Sequence, residues 1–242
     1  MDAIAQQYNF GTGQALRGFM CRNKVIVSGS TALLAFHFGL FQARDLDLYA
    51  PITSESTIEA FLKEKGYLMH FRPTQNPYGE ESGTVIRVDK YASARKSIDV
   101  VYTKGNPIQA VAEFHSTLVM NYISWYGAVS FYPALTLAGK GIMNANSTSA
   151  NDCREKYESK GFQFTCRLLE KHDCRRYFAC PSTVRSIHDS SVMHIPFASV
   201  SSTLAMLEDN LVWRLNNNTC GETTRGFAVS NIGEISKYSP LN

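Results

Sequence analysis

Three aspartates stand in segments of the sequence that otherwise have the pattern of β-strands. Asp45 and Asp47 alternate with Leu46 and Leu48, so both carboxylates are expected on one face of a strand and both leucines on the other. Asp99 interrupts a second apolar strand in the same way. Like charges crowded on one sheet face are destabilising unless a cation neutralises them. Because carboxylates and substrate phosphates are usual ligands of Mg²⁺, the pattern predicts a Mg²⁺ (or Mn²⁺) site.

A Gly-Ser turn that could hold a phosphate precedes the aspartates. Gly29 and Ser30 follow a short β-branched strand at 24–27 and lead into a helix predicted over 31–38. Free backbone N–H groups and the positive end of a helix dipole favour an anion at such a junction. Gly29 lets the backbone approach the anion, and the Ser30 hydroxyl can donate to it. A phosphate-binding turn beside paired carboxylates is the arrangement expected for nucleotide chemistry.

The order and spacing of these residues resemble the nucleotidyltransferase superfamily of DNA polymerase beta. The family motif is a Gly-Gly or Gly-Ser turn, an Asp-x-Asp strand and a third carboxylate, which match Gly29-Ser30, Asp45-Leu46-Asp47 and Asp99. The stretch GSTALLAFHFGLFQARDLDLY is especially similar to toxin-type and abortive-infection nucleotidyltransferases. The chain also resembles uncharacterised fungal nucleotidyltransferase-like proteins. The resemblance covers roughly residues 20–105.

The resemblance implies a reaction and a role for each residue. Asp45 and Asp47 would hold the metal ions that bridge the nucleoside triphosphate, and Asp99 would complete the metal site where the acceptor hydroxyl is deprotonated. The Gly-Ser turn would hold the β- and γ-phosphates. Family members often use a basic residue after the core for the triphosphate, and Lys140 is the candidate by position. The implied activity is transfer of a nucleoside monophosphate from an NTP to a hydroxyl of RNA, a protein or a small molecule.

Two features depart from the family pattern. The gap from Ser30 to Asp45 is slightly long, and Asp99 follows a basic turn that contains Lys90, Arg95 and Lys96, which could pair with it. A catalytically inactive nucleotide-binding or protein-interaction module on the same fold is therefore the alternative.

Helix-like and strand-like segments alternate up to about residue 105, which predicts an α/β (α+β) fold with helices on a mixed sheet. Residues 84–102 have the pattern of an antiparallel hairpin. We therefore expect a nucleotidyltransferase-like core over 1–108 and a mostly helical region over 109–242 that closes over the nucleotide. The helices predicted in that second region cover 110–126, 133–143 and about 150–160.

The composition is that of a globular protein with balanced charge. The 242 residues are 44% hydrophobic, with 24 Lys and Arg against 21 Asp and Glu, which excludes disorder and a general attraction to polyanions. The segment from Arg154 to Arg185 contains eight basic and only four acidic residues, so this segment could contact an RNA acceptor. A solvated helix with i,i+4 ion pairs explains the same surplus.

Neither a membrane span nor a secretory signal is expected. The longest apolar stretch, about 117–137, is interrupted by polar residues and proline, and the N-terminus lacks a basic segment followed by an apolar one. We therefore expect a cytoplasmic or nuclear protein that is not secreted, with its six cysteines reduced.

Cysteine and histidine are concentrated between residues 166 and 194, and thiolate and imidazole are the usual ligands of zinc. The spacing lacks the tight Cys-x2-4-Cys knuckle of common zinc sites. The sequence therefore leaves zinc binding open for this group: Cys166, His172, Cys174, Cys180, His188 and His194.

Overall fold

A mixed eight-stranded sheet with helices packed on it organises the chain, which confirms the predicted α/β fold. The computed structural model describes residues 1–37, 39–73, 83–94, 96–145, 147–165, 172–174, 176–198, 210–216 and 229–230. The described helices are α1 (Asp2–Gln7), α2 (Gly13–Asn23), α3 (Gly29–Leu34), α4 (Glu55–Glu64), α5 (Ile108–Ala112), α6 (Pro133–Leu137) and α7 (Thr148–Glu158), with 3-10 turns at Ile52–Ser54 and Thr117–Val119.

The large sheet has the strand order β11-β7-β6-β1-β2-β5-β4-β3. Strands β2 and β5 are parallel neighbours, whereas the other neighbouring pairs of this sheet are antiparallel. Strands β8 and β9 form a second sheet, and β10, β12 and β13 form a third. The strands are β1 (Ile26–Ser28), β2 (Asp45–Pro51), β3 (Leu68–Phe71), β4 (Val85–Ala92), β5 (Ser97–Thr103), β6 (Asn121–Ile123), β7 (Gly127–Ser130), β8 (Lys140–Ile142), β9 (Gln163–Thr165), β10 (Arg185–Ser186), β11 (Met193–Pro196), β12 (Val212–Trp213) and β13 (Val229–Ser230).

Each face of the large sheet packs against its own apolar cluster. On one face Leu46 and Ile98 pack with Ile58 and Leu62 of α4, and all four side chains are buried. On the other face Tyr49 belongs to a cluster that includes α5 and the aromatic side chains of β6 and β12. Burial of one such side chain stabilises the fold by about 1.5–3 kcal/mol, so these two clusters fix β2 and β5 at the centre of the sheet.

The prediction of a mostly helical region after residue 108 is wrong for the described residues. Strands β6, β7 and β11 continue the large sheet, which therefore takes strands from both sides of residue 108. Helix α5 ends at Ala112 and α6 at Leu137, well before the predicted ends at 126 and 143. Strands β6 and β7 are buried along their whole length. Because such strands show no polar alternation, their apolar residues also fit a helix.

Helix α7 confirms the third of the helices predicted in this region. It begins at Thr148 after Ser147, whose side chain accepts a hydrogen bond of 3.1 Å from the N–H of Ala150. None of the described helices has the length and apolar content needed to cross a bilayer.

Candidate functional site

One row of side chains crosses four strands at the centre of the large sheet. Asp47 in β2 lies opposite Ser28 in β1 on one side and opposite Asp99 in β5 on the other. Asp99 in turn lies opposite Lys90 in β4. Because neighbouring strands are about 4.8 Å apart, residues in one row have their side chains within reach of one another.

The three predicted carboxylates share one face of the sheet. Asp45 precedes Asp47 by two residues on β2, so the two side chains point to the same face. Asp99 points to that face as well, because it lies opposite Asp47 in the register of β2 and β5. All three residues are partly accessible to solvent, whereas Leu46 and Leu48 between them are buried on the opposite face. The structure therefore places the three predicted aspartates on one face of two neighbouring strands.

Burial and neighbouring negative charges both act on the pKa of Asp47. Burial, followed by the nearby charges of Asp45 and Asp99, raises the pKa of Asp47 to about 7, although Lys156 and Lys90 act in the opposite direction. In the protein without a bound cation, the ionised form of this carboxyl is therefore disfavoured. A divalent cation would favour its ionised form, and a set of carboxylate oxygens suits Mg²⁺. Asp45, Asp47 and Asp99 are the residues that would hold the ion.

Lys90 already neutralises part of this charge. Its Nζ lies 2.6 Å from Oδ2 of Asp99, in an ion pair that is partly exposed to solvent. The pairing predicted for Lys90 is thus present, and Asp99 nevertheless stays beside Asp47. Of the other basic residues of the turn, Lys96 places its ammonium 5.5 Å from the ring centroid of Tyr8, and Arg95 lies outside the described residues.

Gly29 occupies the position where β1 turns into α3, in direct contact with the carboxylate row. Its φ is +63°, and a Cβ built at this residue would overlap the carboxylate of Asp47. Helix α3 begins at Gly29, so the N–H groups of Gly29 and Ser30 lack partners within the helix. The Thr31 hydroxyl donates to the carbonyl of Asp45 at 3.3 Å, which holds the start of α3 against β2. The predicted Gly-Ser turn therefore lies directly beside the predicted carboxylates.

The hydroxyl of Ser30 is engaged within the protein. It is hydrogen-bonded to the Tyr157 hydroxyl at 3.1 Å, and both side chains are buried. Burial, above all other causes, raises the pKa of Tyr157, which keeps the phenol protonated. His115 lies against Tyr157 with the ring centroids 6.1 Å apart, and burial followed by Lys156 lowers the pKa of His115 to about 4. Tyr157 of α7 is thus joined to Ser30 of α3 through its hydroxyl and lies against a neutral His115.

Two lysines around the end of α7 supply the basic side of the site. Lys156 is close enough to lower the pKa of Asp47, and Lys160 interacts electrostatically with Asp45. The Lys160 ammonium also lies 4.9 Å from the ring centroid of Tyr157. Burial, followed by the charge of Lys156, lowers the pKa of Lys160. From the sequence, both lysines belonged only to the basic segment 154–185 and were not assigned to the carboxylate site.

The role of Lys140 in holding the triphosphate stays a prediction, since no described contact joins Lys140 to this group. This lysine is exposed at the first position of β8, in the separate sheet with β9. Helix α6 ends at Leu137 and the chain then turns at Gly139, whose φ is +66°. The predicted helix therefore stops before Lys140.

Two comparisons with known proteins, one with family models and one with curated proteins, found no relative of this chain. No protein-family model matches the chain, and no curated protein is significantly similar to it. The resemblance to nucleotidyltransferases therefore stays a prediction, and the function is inferred from the site itself.

Proposed function

We propose that the chain is a metal-dependent nucleotidyltransferase that moves a nucleoside monophosphate from an NTP to a hydroxyl group. The observation that carries this proposal is the row of Asp47 and Asp99 beside Gly29, with Asp45 on the same sheet face. In enzymes of phosphoryl transfer, carboxylates grouped on one face of a site hold divalent cations. The Gly-Ser turn, whose backbone N–H groups lack partners within α3, lies next to them, where a phosphate would meet both.

The reaction joins the acceptor oxygen to the α-phosphorus of the NTP. The bond between that phosphorus and the oxygen bridging to the β-phosphate breaks, and pyrophosphate leaves with the electron pair. The hydroxyl proton passes to a carboxylate of the cluster. Bound Mg²⁺ would supply charge stabilisation to the phosphates and acidify the acceptor hydroxyl.

The chain's own residues would orient the triphosphate and supply positive charge beside it. The backbone N–H groups of Gly29 and Ser30 are the donors that would bind phosphate oxygens, because neither has a partner within α3. Lys156 and Lys160 provide positive charge beside the carboxylates, where the triphosphate would otherwise meet only negative groups. Tyr157 fixes α7 to the Gly-Ser turn through Ser30 and so holds both lysines near the site.

A second candidate function is binding of a nucleotide or a protein partner without catalysis. One specific observation favours it, namely the ion pair of 2.6 Å between Lys90 and Asp99. An ammonium in contact with the third carboxylate takes the place of a cation that the reaction would need there. In this alternative, the chain binds an NTP and releases it unchanged, or binds none.

The test is transfer of label from each α-labelled NTP in the presence of Mg²⁺. The acceptors are total cellular RNA, a cellular protein extract and the chain itself. We expect label to become covalently attached to one acceptor and pyrophosphate to be released in equal amount. The Asp45→Asn/Asp47→Asn double variant is expected to lose this transfer almost completely.

Glu64→Gln is the matched control because it removes one exposed carboxylate at the end of α4. This variant is expected to retain full transfer. Transfer that survives in the double variant would exclude the carboxylate mechanism. NTP binding with no transfer to any acceptor would favour the second candidate.

A further inference from the structure

Soft metal ligands lie together in the connection between β9 and β10, outside the carboxylate site. One ligand atom each from His172, Cys174 and Cys180 lies within 4.8 Å of the other two. Nε2 of His172 is 3.7 Å from Sγ of Cys174. Cys180 is buried, and the other two residues are partly buried. We propose that these three side chains bind a Zn²⁺ ion whose fourth ligand is water.

The separations are close to those of a zinc tetrahedron. With Zn–S bonds of about 2.3 Å and Zn–N bonds of about 2.1 Å, tetrahedral ligands are about 3.6 Å (N to S) and about 3.8 Å (S to S) apart. The distance of 3.7 Å between His172 and Cys174 already fits the first value. All three ligand atoms lie within 4.8 Å of one another, so each remaining distance exceeds its tetrahedral value by at most about 1 Å. Side-chain rotation can supply a movement of that size.

The chemistry of the donors selects the metal. Two thiolates and an imidazole are the usual zinc ligands, whereas Mg²⁺ prefers carboxylates and water. The soft group is therefore chemically distinct from the aspartate row of β2 and β5. Binding requires both thiols to lose their protons, so zinc binding releases protons and becomes tighter as the pH rises.

Backbone hydrogen bonds hold the segment that carries the ligands in a series of turns. The N–H of Tyr177 donates to the carbonyl of Asp173 at 2.9 Å, and the N–H of Cys180 donates to the carbonyl of Tyr177 at 2.9 Å. Arg185, itself buried, donates to the carbonyl of Phe178 at 2.9 Å. Because Cys180 is anchored in this way, a zinc ion would connect the more accessible His172 and Cys174 to the protein core.

The turns explain how the three ligands come together although the sequence lacks a tight Cys-x2-4-Cys knuckle. Five residues separate Cys174 from Cys180, and folding returns the second thiol to the first. Of the other candidates from the sequence, His188 is exposed and His194 has its Nε2 2.9 Å from the carbonyl of Ile187. Cys166 lies outside the described residues.

The test measures metal content of the untagged full chain, purified under reducing conditions without chelator and equilibrated with Zn²⁺. After removal of free metal, elemental analysis is expected to find about one zinc per chain. Cys174→Ser and His172→Gln are each expected to lower the retained zinc by about tenfold or more. Replacement of zinc by Co²⁺ gives an independent readout, because a thiolate–cobalt bond produces intense charge-transfer absorption that both variants should lose.

Two control variants separate this site from others. Cys21→Ser removes an exposed thiol in α2 and is expected to retain zinc. The Asp45→Asn/Asp47→Asn variant is also expected to retain it, so failure of the nucleotidyltransferase proposal would leave the zinc result unaffected. Circular dichroism of each variant verifies that loss of zinc is not loss of fold.

Two results would overturn the proposal. One is zinc retention that is unchanged in Cys174→Ser and His172→Gln. The other is a wild-type chain that retains no zinc, which would leave the contact of His172 with Cys174 as a simple hydrogen bond.

Discussion

Gly29 and Asp47 approach each other so closely that residue 29 has no room for a side chain. The φ of Gly29 is +63°, a conformation that L-residues adopt only at a cost, and a Cβ would overlap the Asp47 carboxylate. Both the phosphate-binding turn and the metal-binding carboxylate of the proposed site therefore depend on glycine at this one position.

Gly29→Ala is expected to damage the site and the fold together. The unfavourable φ costs about 1–2 kcal/mol, and displacement of Asp47 adds to it, so NTP affinity should fall by about tenfold or more. Urea unfolding and calorimetric titration measure the two effects. Gly66→Ala is the matched control, since Gly66 has a φ of +83° and nothing within 4 Å of a built Cβ. Equal NTP affinity in both variants would contradict the proposed role of Gly29.

Asp47→Asn is expected to stabilise the metal-free protein. Burial and neighbouring charges raise the pKa of Asp47 in the folded protein to about 7 from the ordinary value of 3.8. The wild-type fold therefore loses stability as the pH rises between these values and does not regain it above pH 7. The full difference corresponds to at most about 4 kcal/mol, and each kcal/mol changes Tm by about 2–4 °C in a chain of this size. The Tm advantage of the variant should therefore grow as the pH rises from about 5 to about 8.

Saturating Mg²⁺ should remove most of that advantage, because only the wild-type carboxylates gain a cation. Asp99→Asn is the comparison variant, since it leaves Lys90 without its partner and should give no gain in Tm. An Asp47→Asn protein that melts below the wild type at every pH would contradict the charge crowding on this sheet face.

Lys90→Gln is expected to tighten Mg²⁺ binding. The Lys90 ammonium competes for Asp99, but the pair is partly exposed, so its strength is about 1 kcal/mol or less. Mg²⁺ affinity should rise by up to about fivefold, which calorimetric titration with the metal alone can measure. Lys63→Gln removes an exposed lysine on α4 and should leave the affinity unchanged. Weaker Mg²⁺ binding in Lys90→Gln would mean that Lys90 does not compete with the metal.

Much of the carboxylate site could be predicted from the sequence because the first four residues of β2 and of β5 alternate between polar and apolar. Leu46 and Leu48 fill one face of β2, so the directions of Asp45 and Asp47 followed from strand geometry alone. The opposition of Asp47 to Asp99 could not be predicted in the same way. It depends on β2 and β5 becoming parallel neighbours, which is a long-range pairing.

The basic side of the site was missed because sequence position does not fix the distance between elements. Lys140 follows the core directly, but the chain leaves α6 before it and starts β8 there. Lys156 reaches the carboxylates because Tyr157 of the same helix is hydrogen-bonded to Ser30. Such a contact joins residues 127 positions apart and has no local signature in the sequence.

Neutralising Lys156 and Lys160 together is expected to weaken NTP binding without loss of the fold. An interaction of one ammonium with phosphate contributes about 1.5 kcal/mol, so the Lys156→Gln/Lys160→Gln variant should lose about tenfold or more in affinity. Lys140→Gln serves as the control and should bind like the wild type, because Lys140 lies in β8, in a different sheet from the carboxylate row. The reverse ranking, with Lys140→Gln the weaker binder, would contradict the placement of the triphosphate beside α7.

Calorimetric titration of the wild-type chain with ATP, GTP, CTP and UTP in Mg²⁺ tests the central claim most directly. The control is the Asp45→Asn/Asp47→Asn variant, whose fold is verified by circular dichroism. We expect saturable binding of at least one triphosphate that requires Mg²⁺ and disappears in the variant. Absence of binding for every nucleotide in the folded wild-type chain, or equal binding by the variant, would contradict a nucleotide site built on Asp45 and Asp47.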